Sequence, residues 1–175
     1  MGADLYLGMV DIQKYGKFMG NSRYAELFRI IDEAEDILPE VPIPETPVSA
    51  NTGAITFGEP DESSPVLITG NSVYTHMVLG AILATAGIDC HLVSIDTGGH
   101  TVDMSVVLNI FSGKEIWETI NSSGIEETVE HRIMVIPGFA ASLRDEVERE
   151  TGWNVLVGPV CGMELPMYLI INWPQ

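Results

Sequence analysis

From residue 54 onward, short apolar runs closed by small or turn-forming residues recur four times, with helix-length segments between them. The runs are Val66–Thr69, Cys90–Ile95, Ile133–Ile136 and Val155–Val157. Runs this short, lacking polar alternation and separated by ten or more residues of helical pattern, predict parallel strands covered on both faces and joined by right-handed crossovers. The expected fold class is α/β, an open parallel sheet with flanking helices. The element order expected is strand 54–57, strand 66–69, helix 72–86, strand 90–95, helix 101–111, helix near 114–122, strand 133–136, helix 140–151, strand 154–157 and an apolar tail from Leu165 to Trp173.

The ends of the four runs carry the candidate site. They read Thr69-Gly70-Asn71-Ser72, Asp96-Thr97-Gly98-Gly99-His100-Thr101, Pro137-Gly138-Phe139-Ala140 and Gly158-Pro159-Val160-Cys161-Gly162. In an open parallel sheet the loops leaving the carboxyl ends of the strands share one edge, so these residues are expected to converge on one crevice. One glycine loop would mean no more than an ordinary turn. Four of them, each directly after a strand, favour a ligand cradle built from backbone rather than a set of catalytic side chains.

The amino-terminal part has a different character. Tyr24, Leu27, Phe28, Ile31, Ala34 and Leu38 follow helical spacing, and Glu26, Asp32, Glu33, Glu35 and Asp36 mark the wet face. Pro39, Pro42, Pro44 and Pro47 then exclude regular helix or central strand, because proline lacks the amide donor and fixes its own φ. Residues 1–52 therefore read as a helical extension with a Pro-rich linker over 39–52, and 53–175 as the ligand-binding α/β domain.

Charge narrows the partners. Eight Lys and Arg against 25 Asp and Glu give a formal charge of −17, which repels phosphate backbones and anionic lipid surfaces. No nucleic acid and no membrane are expected. The apolar stretch around Met77–Ala84 falls short of the roughly 20 residues of a membrane span, and the first residues lack a signal-peptide pattern. Cys90 and Cys161 are the only cysteines, too few for a four-thiolate zinc or iron–sulfur site, and a reduced cytoplasmic setting is the simplest expectation.

Enzyme signatures fail when checked against their chemistry. The chain has no Walker glycine loop, no G-x-S-x-G elbow and no histidine pair at metal-ligand spacing, and Gly98-Gly99 is too short for a dinucleotide fingerprint. Asp89-Cys90-His91-Leu92-Val93-Ser94 approaches the D-x-H-x-x-G pattern by which some cobalamin proteins offer histidine to cobalt, but Ser94 replaces the glycine. His91 also starts a predicted strand, on the edge opposite the glycine loops. We read it as structural, together with His76 and His131. His100, within a strand-end loop, is the better candidate, and Cys161 shares that edge, with nothing nearby in sequence to lower its pKa. The charged run Arg144–Glu150 reads as a solvated helix face, with Leu143 and Val147 turned inward.

Four blocks then occur in a recognisable order: Ser64–Asn71, Asp96–Val102, His131–Gly138 and Gly152–Pro159. Together, over about Ala54 to Trp173, the chain resembles the carboxy-terminal corrinoid-binding domain of the corrinoid iron–sulfur protein large subunit, the gamma subunit of the acetyl-CoA decarbonylase/synthase complex. The resemblance implies a Rossmann-like domain holding base-off cobalamin without a protein side chain as lower ligand. It further implies methyl transfer between a methyltransferase and acetyl-CoA synthase in anaerobic one-carbon metabolism, with the cofactor carrying the chemistry. Thr69, Asn71, Asp96, Thr97, Gly99, Thr101, Pro137, Gly138, Gly158 and Pro159 match the family's loops. Gly98, His100 and Cys161 depart from it, and the family's cysteine cluster and preceding barrel have no counterpart in these residues.

The expectation is thus a corrinoid-binding methyl carrier component rather than an enzyme with its own catalytic side chains. It would carry no iron–sulfur cluster, and its partners would be a barrel-type subunit or methyltransferase and acetyl-CoA synthase. Two readings stand beside it: an interaction module that lost the corrinoid and docks through Met167–Ile171, and a flavodoxin-like domain for flavin or nucleotide.

Overall fold

The computed structural model describes residues 46–174, and the predicted helix over 22–38 lies outside them. Among the described residues, strands β1 (Gly53–Phe57), β2 (Val66–Gly70), β3 (Cys90–Ile95), β4 (Ile133–Ile136) and β5 (Asn154–Val157) form a sheet in the order β1-β3-β2-β4-β5. The helices are α1 (Val73–Ala86), α2 (Val102–Val107), α3 (Gly113–Ser123), α4 (Ile125–Thr128), α5 (Arg144–Thr151) and α6 (Leu165–Asn172), with 3-10 turns at Gly138–Leu143 and Gly162–Glu164.

Alternation along each strand splits the core into two layers. Val66, Ile68, Val93, Ile95, Met134, Ile136 and Val155 face one side, where Phe111, Ile116, Ile120, Val147 and Trp153 cover them. Leu67, Cys90, Leu92 and Val135 face the other, under Leu83 of α1 and Leu165, Tyr168 and Leu169 of α6. Burial on both faces is why β2 and β3 are apolar almost throughout. The segment Met167–Ile171, considered from sequence as a docking surface, is therefore mostly occupied at home: Met167, Tyr168 and Leu169 are buried, Ile170 is half-buried and Ile171 is exposed.

The parallel expectation holds for β2 through β5 and fails at β1, which pairs antiparallel with β3 from Gly53↔Ser94 to Phe57↔Cys90. The reason is the length of the connection. Only Gly58–Pro65 separates β1 from β2, and a parallel crossover needs about a dozen residues or more. As an edge strand, β1 alternates half-buried and exposed positions instead of being buried throughout. The predicted helix 140–151 is also divided: it opens as a 3-10 turn and becomes α-helical only at Arg144.

The described end of the Pro-rich stretch is tied to the domain. Val48–Ala50 lies as a strap across the start of α1. The Ala50 amide donates to the Asn71 carbonyl at 2.7 Å, the Val73 amide to the Val48 carbonyl at 3.0 Å, and Ser49 bridges antiparallel to Ser72.

Candidate ligand cavity at the carboxyl edge of the sheet

The chain runs from β2 outward to β3 and then returns past β2 to β4, so the switch point of the parallel sheet lies between β2 and β4. Those two strands pair only at Leu67↔Val135, whereas β2 and β3 stay in register over five residues. Beyond this single rung a cavity of about 340 Å³ opens at the carboxyl ends. That volume falls within the range of small-molecule pockets, at the place where open α/β sheets bind ligands.

All four strand-end loops contribute to this one cavity. Thr69 comes from the first, Thr101 from the second, Pro137 and Phe139 from the third, and Gly158, Pro159 and Val160 from the fourth. The other predicted site residues are not part of the lining. Gly70, Asn71, Ser72, Asp96, Thr97, Gly98, Gly99, His100, Gly138, Ala140 and Cys161 are absent from it. Several of these hold the loops instead. Asn71 and Thr97 are buried and bonded to each other, Ala140 belongs to the core, and the Gly138 amide donates to the Pro159 carbonyl at 3.1 Å.

Gly99 illustrates the difference. Its φ is +80°, and a Cβ there would lie 2.5 Å from the Val48 carbonyl carbon, so the strap rather than a ligand requires this glycine.

Residues that the loop pattern did not reveal complete the wall. Tyr74, Thr75, Val78 and Leu79 line it from the first turns of α1, and Val102 and Asp103 from the start of α2. Their signal was available only as helix positions next to strand-end loops, which acquire meaning once the helices are packed on known faces of the sheet.

The lining is mainly apolar, with a few polar groups, and holds neither histidine nor cysteine. One of those polar groups is unusual. Thr69 is 2% exposed, and its Oγ1 is buried without a hydrogen-bond partner, the cost of which is about 1–3 kcal/mol for a buried polar group. Among the described residues no cluster of three or more His, Cys, Asp or Glu could hold a metal ion.

The histidines are engaged elsewhere or stand off the lining. His91 is buried in β3 with Nε2 3.2 Å from the Asp61 carbonyl, and His131 places Nε2 3.1 Å from the Ser64 carbonyl while its Nδ1 accepts from the Ile133 amide. His76 Nε2 lies 2.9 Å from Ser94 Oγ, and burial holds its imidazole below the ordinary value, with the Gly70 backbone opposing. The Cys161 thiol is pushed up chiefly by burial, against a backbone hydrogen bond from Met163, and burial with the nearby Asp89 raises Cys90 to about 12. Neither thiol is activated for nucleophilic chemistry.

The start of α1 deserves comparison with phosphate-binding folds, where free backbone N–H groups at a helix start receive an anion. Here the Val73 amide is taken by the Val48 carbonyl, and the Thr97 and Gly99 amides by Asn71 Oδ1.

A family model described as CO dehydrogenase/acetyl-CoA synthase delta subunit matches residues 7–169. The acetyl-CoA decarbonylase/synthase complex subunit gamma of Methanopyrus kandleri is 44% identical over 126 residues, 72% of this chain and 27% of that protein. The subunit gamma of Archaeoglobus fulgidus is 35% identical over 175 residues, 96% of this chain and 36% of that protein, and that of Methanothermobacter thermautotrophicus is 34% identical over 156 residues, 85% and 34%. The chain thus spans about a quarter to a third of the length of these curated relatives. With a match over most of its length, the chain belongs to the CO dehydrogenase/acetyl-CoA synthase delta subunit family, and its relatives include gamma subunits of the acetyl-CoA decarbonylase/synthase complex.

Proposed function

We propose that this chain holds a corrinoid at the carboxyl-edge cavity and serves as a methyl carrier component of acetyl-CoA metabolism. The observation that carries the reading is the cavity itself: four strand-end loops line one apolar recess at the sheet's switch point, with Thr69 in its wall. Its residues suit such a group. Valine, leucine and phenylalanine side chains accommodate hydrocarbon, while Thr75 and Thr101 offer hydroxyls to amide groups. The recess is small for a whole corrinoid, so it would receive one part of the ligand while the rest lies over the rim.

Bound cobalamin would supply a cobalt that accepts and releases a methyl group. The chain's own residues bind and orient it and exclude water from the recess. A base-off cobalamin without a protein lower ligand accords with a lining that contains no histidine or cysteine. The relatives' names imply partner subunits of a larger complex, and a barrel-type subunit, a methyltransferase and acetyl-CoA synthase are the partners we propose. Cytoplasmic residence belongs to the same proposal, and no described helix is long and apolar enough to cross a membrane.

The test is direct. Purified protein mixed with hydroxocobalamin and desalted should retain a corrinoid spectrum near one equivalent; colourless protein at micromolar concentration refutes the proposal. The flavin or nucleotide alternative has less support, because the strap and Asn71 already use amides at the start of α1 and in the loop after β3.

An interaction role at the same edge has one observation in its favour. Met104 and Val107 on α2 and Leu108 at its carboxyl cap form an exposed i, i+3, i+4 stripe, Val107 being 73% exposed, and Val160 is 54% exposed in the cavity wall. Co-purification of a barrel-type subunit without corrinoid would favour that role.

A further inference from the structure

Asn71 matches a family loop position, yet its side chain has no capacity left for a ligand. An asparagine carboxamide has two donors and one oxygen with two lone pairs. Both donors are used, towards the Ala50 carbonyl at 3.3 Å and Asp96 Oδ1 at 3.1 Å. The oxygen faces the amides of Thr97 at 2.9 Å and Gly99 at 3.0 Å, with Thr97 Oγ1 a further 3.0 Å contact. The residue is 2% exposed and is not part of the cavity lining.

We propose that Asn71 is a positioning residue: its carboxamide clasps the strap and the loop after β3 to the end of β2, and thereby places Thr101, Val102 and Asp103 against the cavity. This rests on the reading of the cavity as the corrinoid site. The connection to the wall is explicit. Thr97 Oγ1, in contact with Asn71, also lies 2.9 Å from the His100 carbonyl, and its single proton serves one or the other. The His100 amide returns to the Thr97 carbonyl at 3.2 Å. Ser105 then fixes the start of α2: its Oγ donates to the Thr101 carbonyl at 2.7 Å, and its amide lies 2.9 Å from the same oxygen. Asn71 therefore acts on the ligand through Thr97 and His100 and touches none of it.

The clasp has a weak point that makes it testable. Asn71→Asp keeps an acceptor for Thr97 and Gly99 but sets a carboxylate against Asp96 Oδ1 and the Ala50 carbonyl, where two donors stood. Asp96→Asn in the same chain returns a donor to that contact. With the 175-residue chain, amide protection measured by hydrogen exchange at Thr97 and Gly99 should fall at least tenfold in Asn71→Asp. The hydroxocobalamin Kd, read from the visible spectrum, should rise at least tenfold. The double variant Asn71→Asp/Asp96→Asn should recover part of both losses, which general destabilisation would not produce.

Weakened corrinoid binding with unchanged exchange would make Asn71 a direct ligand contact and overturn the proposal, as would unchanged exchange and affinity, or a double variant no better than the single. If Asn71→Asp does not fold, Thr97→Val serves instead. It keeps the Thr97 backbone bond to Asn71 and removes the hydroxyl link to His100, so reduced protection at His100 and Ser105 with weaker binding is expected, and unchanged values overturn the proposal. Should the wild type bind no hydroxocobalamin, the failure falls on the proposed function, and exchange alone decides the clasp.

Discussion

Gly138 and Pro159 lock the third and fourth strand-end loops together: the Gly138 amide donates to the Pro159 carbonyl at 3.1 Å, and a Cβ at 138 would stand 2.7 Å from the Val160 amide nitrogen. The obstacle is backbone, which cannot swing aside as a flexible side chain would. Gly138→Ala should therefore cost about 1–3 kcal/mol, the usual scale of overpacking. A thermal melt of the ligand-free protein should show a Tm lower by several degrees. An unchanged Tm would mean that the two loops separate freely.

Thr69 separates stability from binding. Thr69→Val keeps the shape and removes the unpartnered Oγ1, so the ligand-free protein should gain about 1 kcal/mol in urea unfolding. If that hydroxyl serves the ligand, affinity for hydroxocobalamin should fall by up to about tenfold, the equivalent of one hydrogen bond. Equal affinity in a more stable variant would remove Thr69 from the binding surface.

The thiols should be inert in the native state. Cys90 is fully buried with its pKa raised to about 12, and Cys161 is buried and also raised. Iodoacetamide at pH 8 should alkylate neither residue before unfolding, as mass spectrometry of the intact protein would show. Rapid native labelling of Cys161 would place it in an open, activated environment instead.

Acid should weaken the fold in two stages. His76 is depressed below 6.5 in the folded chain, so well above pH 6.5 it is neutral in both states and exerts no pH dependence. As pH falls below 6.5 the unfolded chain gains a proton that the folded chain resists, and stability declines until the folded value is reached. Glu148 acts further down. The Val155 amide, with smaller help from Arg144, holds its carboxyl below 4.5, and that contribution disappears as pH falls through the carboxylate range. Urea unfolding at stepped pH should show the first decline in the wild type and a flatter profile in His76→Gln.

Much of the fold was legible in the chain because burial on both faces leaves a local signature. Strands β3, β4 and β5 coincide with the predicted 90–95, 133–136 and 154–157, and β2 extends the predicted 66–69 by Gly70. Helix α1 begins one residue later than expected. The divided helix after β4 was less visible, since residues 138–143 are helix-compatible in composition and their 3-10 geometry goes with the close approach of Gly138 to Pro159. Among the candidate site residues, Thr69, Thr101, Pro137, Phe139, Gly158, Pro159 and Val160 line the cavity. Asn71 and Gly99 were placed in the right loops, but their neighbours, Asp96 and Val48, are distant in sequence.

The sequence by itself determined the class of fold and the edge on which the loops gather, because apolar runs and helical periodicity are local consequences of burial, and parallel connection aligns the strand ends. The tertiary structure alone decided the direction of β1, the recess beyond the Leu67–Val135 rung and the division of labour between lining and clasp. Those outcomes depend on contacts between residues far apart in the chain, such as Ala50 with Asn71 and Gly138 with Pro159, for which no local pattern exists.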